Sequence, residues 1–304
     1  MAKEKPLNAI IDREIARALV KSNHSETNDL LIDLVNYGSN LIARAFDQSS
    51  KNLSDSIIIG HFTKSAVAAL DSIQIGFCEG SYLTIKLASR ALLEISFQLE
   101  WVLKSDTEKR SKQFYVSLLR RKKRLNRLYT GSDSASQELF TQFRNRGFND
   151  PNTLLSSKIS EISEQNNAID NILSKPEYDQ INQDFDSVQT RNFDKNWYSL
   201  YGGPNTIRQL AKRLDKMVEY DVMYSSYSQY MHSSHFEKNV SFDSESIIFE
   251  NIRDVENSLL DINFSCSMIF RVYRMITQKY LPSESEQFSL KYIQDWRDSY
   301  QKTK

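Results

Sequence analysis

The chain has 304 residues, enough for one large core or two modest ones. Its 39 lysines and arginines balance 39 aspartates and glutamates, so no net charge draws it to nucleic acid or to an anionic membrane. With only 8 glycines and 5 prolines it cannot supply the turns of a β-sandwich or barrel, and long helices are expected instead.

The N-terminal run MAKEKPLNAIIDREIARAL is broken up by charges and does not read as a signal peptide. No segment reaches the roughly 18 uncharged apolar residues that a membrane helix requires, so no membrane partner is expected. Cys78 and Cys266 sit in apolar helical pattern without metal or disulfide spacing, which predicts buried thiols in a reducing cytoplasm.

In chain order, Asn8 to Lys21 reads as a short amphipathic helix with Ile11, Ile15, Ala18 and Leu19 on one side. A second helix begins near Thr27 and carries Leu30, Leu31, Leu34, Val35, Leu41, Ile42, Ala45 and Phe46. Gly38 costs it about 1 kcal/mol relative to Ala, so either a neighbour packs closely there or the helix bends. After the loop QSSKNLSD, with Asp55 expected as N-cap, SIIIGHFTKSAVAALDSIQI forms a third helix, expected to stop at Gly76.

The short GFCEG turn then leads into EGSYLTIKLASRALLEISFQLEWVL, from Glu79 to Leu103, making an antiparallel hairpin. Within that apolar run Glu79, Lys86, Arg90, Glu94 and Gln98 stand seven, four, four and four residues apart. At about 100° per residue they share one stripe of a helix that is otherwise apolar. Such a helix belongs in the middle of a bundle, and its polar stripe must be paired or must line a cleft.

Asp106 to Tyr129 continues as helix, with Phe114, Leu118, Leu125 and Leu128 inward and the basic run Arg120 to Arg127 outward. Arg120, Arg121, Lys122, Lys123 and Arg124 could grip RNA phosphates, although a solvated helix face is the simpler reading. Residues 130–196 are polar, yet Ile159, Ile162, Ile169, Ile172 and Leu173 keep helical spacing up to Pro176, as do Tyr178, Ile181, Phe185 and Val188 beyond it. They are expected to form a helical insertion within a single domain spanning 1–304.

From Trp197 to Phe236, Gly202-Gly203-Pro204 breaks the chain and Asn205 caps a helix with Ile207, Leu210, Ala211 and Leu214 inside. The next helix carries an aromatic stripe of Tyr220, Tyr224, Tyr227 and Met231, and a small polar one of Asp221, Ser225, Ser228, His232 and His235. A long apolar helix is expected from Ile247 to Tyr280, followed by a Ser283/Glu286 capping box and a last helix with Phe288, Tyr292, Ile293, Trp296 and Tyr300. The fold class is therefore all-α: a multi-helix bundle built round a central antiparallel hairpin, with no sheet.

The run ALDSIQIGFCEGSYLTIKLASRALLEISFQLEWVL, with Gly76, Arg90 and Glu94, resembles the bacterial family catalogued as domain of unknown function 5677. So does the later stretch with Trp197, Tyr198, Ile207, Leu210, Ala211, Tyr220, Tyr224, Ser228 and His232. The resemblance covers about residues 53–129 and 197–237. It implies an all-helical fold and no established activity.

Three functions fit these residues. In the first, Arg90, Glu94, Asp221, Ser228 and His232 form a buried network that fixes helix register in an interaction module, whose partner is another protein or a second copy. In the second, Arg90, Glu94, Ser228 and His232 are the catalytic groups of a HEPN-like metal-independent ribonuclease, a type that often serves as a toxin or phage-defence effector, with Tyr224 and Tyr227 beside them. The Arg-x(4–6)-His pattern of such enzymes is absent ahead of His232 and His235. In the third, His232 and His235 bind a metal with Glu79 or Glu94, although the Glu-x-x-His pairs of ferritin-like sites are missing. No metal or other cofactor is expected. A Ser-His-Asp hydrolase is set aside, because Asp221, Ser228 and His232 share one helix without a nucleophile elbow.

Overall fold

The hydrophobic period of the sequence is realised as helix through most of the chain. A computed structural model describes residues 7, 10–130, 134–147, 151–187, 196–231, 240–243 and 246–303. They fall into two compact units, one of Met1–Thr107 with Ile207–Lys304 and one of Glu108–Thr206.

The first unit opens with α1 (Arg13–Asn23), α2 (Ser25–Gln48) and a single turn, α3 (Leu53–Asp55). A π-helical stretch, Ser56–Thr63, joins α3 to α4 (Lys64–Cys78), and α5 (Tyr82–Lys104) follows. Asn52, not Asp55, caps α3: its side chain accepts from the Asp55 amide at 2.9 Å while Asp55 accepts from the Asn52 amide at 3.4 Å. Asp55 is thereby freed to accept a hydrogen bond from the Tyr280 hydroxyl at 2.9 Å.

Gly76 does not end α4, which runs on to Cys78. The turn is made at Gly80, whose φ of +61° lies in the left-handed region. There the Ser81 amide bonds to the Gly76 carbonyl at 2.7 Å and the Gly80 amide to that of Phe77 at 2.9 Å. This double bond satisfies two end carbonyls of α4 and sends α5 back along it.

The second unit holds α6 (Thr107–Arg127), α7 (Ser134–Asn145), α8 (Pro151–Leu173) and α9 (Asp179–Asp186). Phe114, Val116, Phe140, Ile169, Tyr178, Ile181, Phe185 and Trp197 are buried in it. Phe114 meets Trp197 edge-on at 5.4 Å, and the buried Asn126 donates to Asn166 at 2.9 Å, joining α6 to α8. Burial pushes the Tyr178 hydroxyl up to about 12.

The chain then completes the first unit with α10 (Ile207–Arg213), α11 (Met217–Glu219), a π-helical turn Tyr220–Tyr224 and α12 (Ser225–Met231). Strands β1 (Val240–Asp243) and β2 (Ser246–Phe249) follow, then α13 (Leu259–Tyr280), α14 (Ser285–Lys291) and α15 (Arg297–Lys302). The expected helix from Ile247 thus begins only at Leu259. Val240, Phe242, Ile247 and Phe249 alternate with a period of two in an antiparallel register, which suits a pleated strand better than a helix. The expected absence of a sheet is corrected by this one hairpin. Pro282–Glu284 forms a 3₁₀ turn, and no side chain caps α14, so the Ser283 capping box is absent as well.

The core packs α4 and α13 against α5, and α2 against α4 and α13, with Leu31, Leu34, Leu41, Leu70, Ile73, Phe77, Leu93, Phe97, Ile269 and Tyr273 buried. The Gly38 question resolves as close packing within an unbroken α2. The Tyr273 hydroxyl donates to the Leu34 carbonyl at 2.7 Å, and a Cβ on Gly38 would lie 2.1 Å from that hydroxyl. Ala is the better helix former by about 1 kcal/mol. Gly38→Ala should nonetheless destabilise, by roughly 1–3 kcal/mol, because Tyr273 must move and its hydrogen bond must break. Urea denaturation of the variant would check the sign.

Candidate functional site

The polar stripe of α5 is the candidate site, since polar groups in the middle of a core demand partners. Lys86 is the most deeply set. Its ammonium lies 2.8 and 2.9 Å from the two carboxylate oxygens of Asp261 on α13. The side chains are 9% and 1% exposed, so both are almost wholly removed from water. Three tyrosine rings close round the ammonium, with centroids 4.8 Å (Tyr82), 5.2 Å (Tyr227) and 5.6 Å (Tyr230) away. The Tyr230 hydroxyl donates to that of Tyr82 at 3.2 Å. Burial, reinforced by the neighbouring Asp261 carboxylate, pushes the Tyr227 hydroxyl well above its usual range, so it stays neutral.

One turn further along, Ser89 and Ser265 share a hydrogen bond of 2.9 Å, both fully buried. The pair repeats the contact between α5 and α13 a rung higher. Lys86 and Ser89 are three residues apart on one helix and Asp261 and Ser265 four apart on the other, so each pair lies on one face.

Arg90 continues the stripe. Its Nε donates to Glu94 at 3.1 Å and its Nη2 to the Tyr224 hydroxyl at 2.8 Å. The guanidinium carbon also lies 4.5 Å from the Tyr224 ring centroid, and Tyr220 stacks on Tyr224 at 4.9 Å. Burial works against the Arg90 charge, but the Glu94 hydrogen bond and the Tyr224 contact hold it above the ordinary arginine range. Its Nη1 is buried and makes no hydrogen bond among the described residues.

The remaining sequence-predicted residues are placed differently. Glu79 precedes α5 as the C-cap of α4 and pairs at the surface with Arg17, 2.9 Å away. Asp221 and Ser225 are exposed, and Ser228 is half-buried and makes no side-chain hydrogen bond among the described residues. Within the 217–231 segment the aromatic face, through Tyr224 and Tyr227, therefore meets α5, and Asp221 and Ser228 do not join Arg90 and Glu94. His232 and His235 lie outside the described residues. No group of three His, Cys, Asp or Glu residues among the described residues is arranged to hold a metal.

The basic run of α6 belongs to the second unit, where two of its members pair with carboxylates. Arg120 pairs with Asp186 at 2.6 Å and lies over the Phe185 ring, and Lys123 pairs with Asp170. Arg121, Lys122 and Arg124 are exposed.

Lys86 is legible in the sequence as part of the polar stripe of α5, but its partner is not. Asp261 and Ser265, one turn apart in the apolar run LLDINFSCSMIF, carried the signal, as a second polar pair inside a core helix.

A protein-family model described as a family of unknown function, DUF5677, matches residues 55–247. The chain belongs to that family. No curated protein and no solved structure matches it. No helix among the described residues is long and apolar enough to cross a membrane.

The two ion pairs differ in burial, and so should their variants. Lys86→Met strands the buried Asp261 carboxylate and should cost about 3–5 kcal/mol. Arg90→Met leaves Glu94 with its side chain 35% exposed to water, and should cost only about 1–2 kcal/mol. Combining Lys86→Met with Asp261→Leu should recover most of the larger loss, as chemical denaturation of the three variants would reveal.

Proposed function

We propose that the chain is a helical interaction module whose interior polar groups set helix register instead of carrying out a reaction. The observation behind this reading is the Lys86–Asp261 pair: a salt bridge sealed by tyrosines, with both charges spent on each other. Arg90 supports it too, since Glu94 and Tyr224 take its Nε and Nη2. The partner would be another protein or a second copy of the chain. Two free thiols, one of them fully buried and pushed up to about 12 by burial, fit a reducing compartment such as the cytoplasm.

The metal-independent ribonuclease remains the second reading because of one atom. Nη1 of Arg90 is buried without a hydrogen bond, and a phosphate oxygen would satisfy it. The arginine side chain is only 16% exposed, however, which leaves a flexible RNA strand little access.

The test is incubation of the full chain with single-stranded RNA in the absence of divalent metal, beside folded Arg90→Ala and His232→Ala variants. Equal background in all three is the expected result. Cleavage by the parent that disappears in both folded variants would replace the interaction module with the enzyme.

A further inference from the structure

A cavity of about 280 Å³ lies between α2 and α14 of the first unit. Helical spacing builds both of its walls. Tyr37 and Arg44 stand two turns apart on α2, and Glu284, Gln287, Phe288 and Lys291 keep the i, i+3, i+4, i+7 spacing of one helix face through the 3₁₀ turn and α14. The apolar part of the lining is aromatic. The Tyr37 ring lies 5.9 Å from that of Phe288 and 5.1 Å from that of Trp296.

The polar part is an ion pair that still meets water. Arg44 donates through Nε to Glu284 at 3.1 Å, and the two side chains are 39% and 31% exposed. The guanidinium carbon also lies 5.5 Å from the Tyr37 ring centroid. Burial pushes the Tyr37 hydroxyl above its usual range, so it stays neutral. Beside it the buried Thr277 hydroxyl makes no well-formed hydrogen bond among the described residues.

Charge and size select the occupant. Lys291 is answered by Asp295 at 2.8 Å and Asp33 at 3.3 Å. Together with Arg44 and Glu284 that makes two cations against three carboxylates, an excess that opposes a simple anion. A simple cation would leave Arg44 without a counter-charge of its own. A zwitterion whose two charges sit side by side answers both members of the Arg44–Glu284 pair, and a flat side chain suits the rings. The volume falls just under the roughly 300–1,000 Å³ of drug-sized sites, which fits one small metabolite.

We propose that this cavity binds a free aromatic α-amino acid, with its carboxylate on Arg44, its ammonium on Glu284 and its ring against Tyr37 and Phe288. All six lining residues fall outside residues 55–247, the part matched by the family model. The site therefore goes beyond the family match, and beyond the interaction-module reading, on which it does not depend.

The experiment is isothermal titration of the full chain with L-phenylalanine, L-tyrosine and L-tryptophan. The tightest of the three should bind with a Kd of about 0.1–1 mM, as expected for so few atoms. Its deaminated and decarboxylated analogues should each bind about tenfold more weakly, since each loses one charge-assisted hydrogen bond. Arg44→Met and Glu284→Gln variants, shown by circular dichroism to be folded, should weaken the amino acid by a similar factor. No heat from any of the three amino acids overturns the proposal. So does an analogue that binds as tightly as the amino acid itself, because one charge is then irrelevant. Undiminished binding in both folded variants puts the site elsewhere and overturns it too. Should the variants misfold, hydrogen exchange on the parent decides: with the amino acid near saturation, the amides of residues 284–291 should exchange severalfold more slowly. Exchange that does not change counts against the site. RNA cleavage would sink the interaction-module reading without altering these heats, so the two failures are distinguishable.

Discussion

The contact between Lys86 and Asp261 constrains the first unit more than any other single interaction. A charge removed from water is tolerated only where its counter-charge is fixed in place. With the ammonium 2.8 and 2.9 Å from the carboxylate, α5 and α13 cannot slide by one turn without leaving two buried charges alone. Apolar packing of Leu92, Leu93, Ile262 and Ile269 by itself would tolerate several near-equivalent registers, since hydrophobic attraction has no direction. The Ser89–Ser265 bond repeats the same demand at a second level.

The rest of the bundle interior follows from that register. Once α5 is fixed, Arg90 stands one turn beyond Lys86 and holds Tyr224, anchoring the 217–231 segment. On the α13 side, Arg271 binds Glu219 at 2.9 Å and lies 3.8 Å from Glu100 near the end of α5. The same three pieces of chain are thus tied at Lys86 and at Arg271, and two of them at Arg90. These ties run across elements rather than along one helix. Removing any member exposes the partner's desolvation cost, which is why such networks act as units.

Much of this was legible from residue spacing, and the failures have physical causes. The stripe through Lys86, Arg90 and Glu94, the α4–α5 hairpin and the all-helical class all rest on period alone, and period survives folding. What spacing could not supply was the identity of distant partners: Asp261 lies 175 residues from Lys86. Nor could it foresee the π-helical turn at Tyr220–Tyr224. That wider turn moves every later side chain round the axis relative to an ideal α-helix. The stripe of Asp221, Ser225 and Ser228, reckoned at α-helical pitch, therefore lost its assumed direction, and the tyrosines took the inner face. At the hairpin the alternation spans only two four-residue strands, and the continuous apolar run of Ile247, Ile248 and Phe249 reads as the start of the helix that follows.

Polarity is distributed differently inside the first unit and at its hairpin. Inside, Lys86 and Asp261 face each other as a buried ion pair, and Ser89 and Ser265 share a hydrogen bond beside them. Outside, Phe242, Ile247 and Phe249 meet water on a sheet that has no third strand among the described residues. Each arrangement has a free-energy cost in an isolated chain. The interior cost is offset where it arises, by salt bridge, aromatic rings and hydrogen bonds. At the hairpin the cost is about 25 cal/mol for each Å² of apolar area in contact with water.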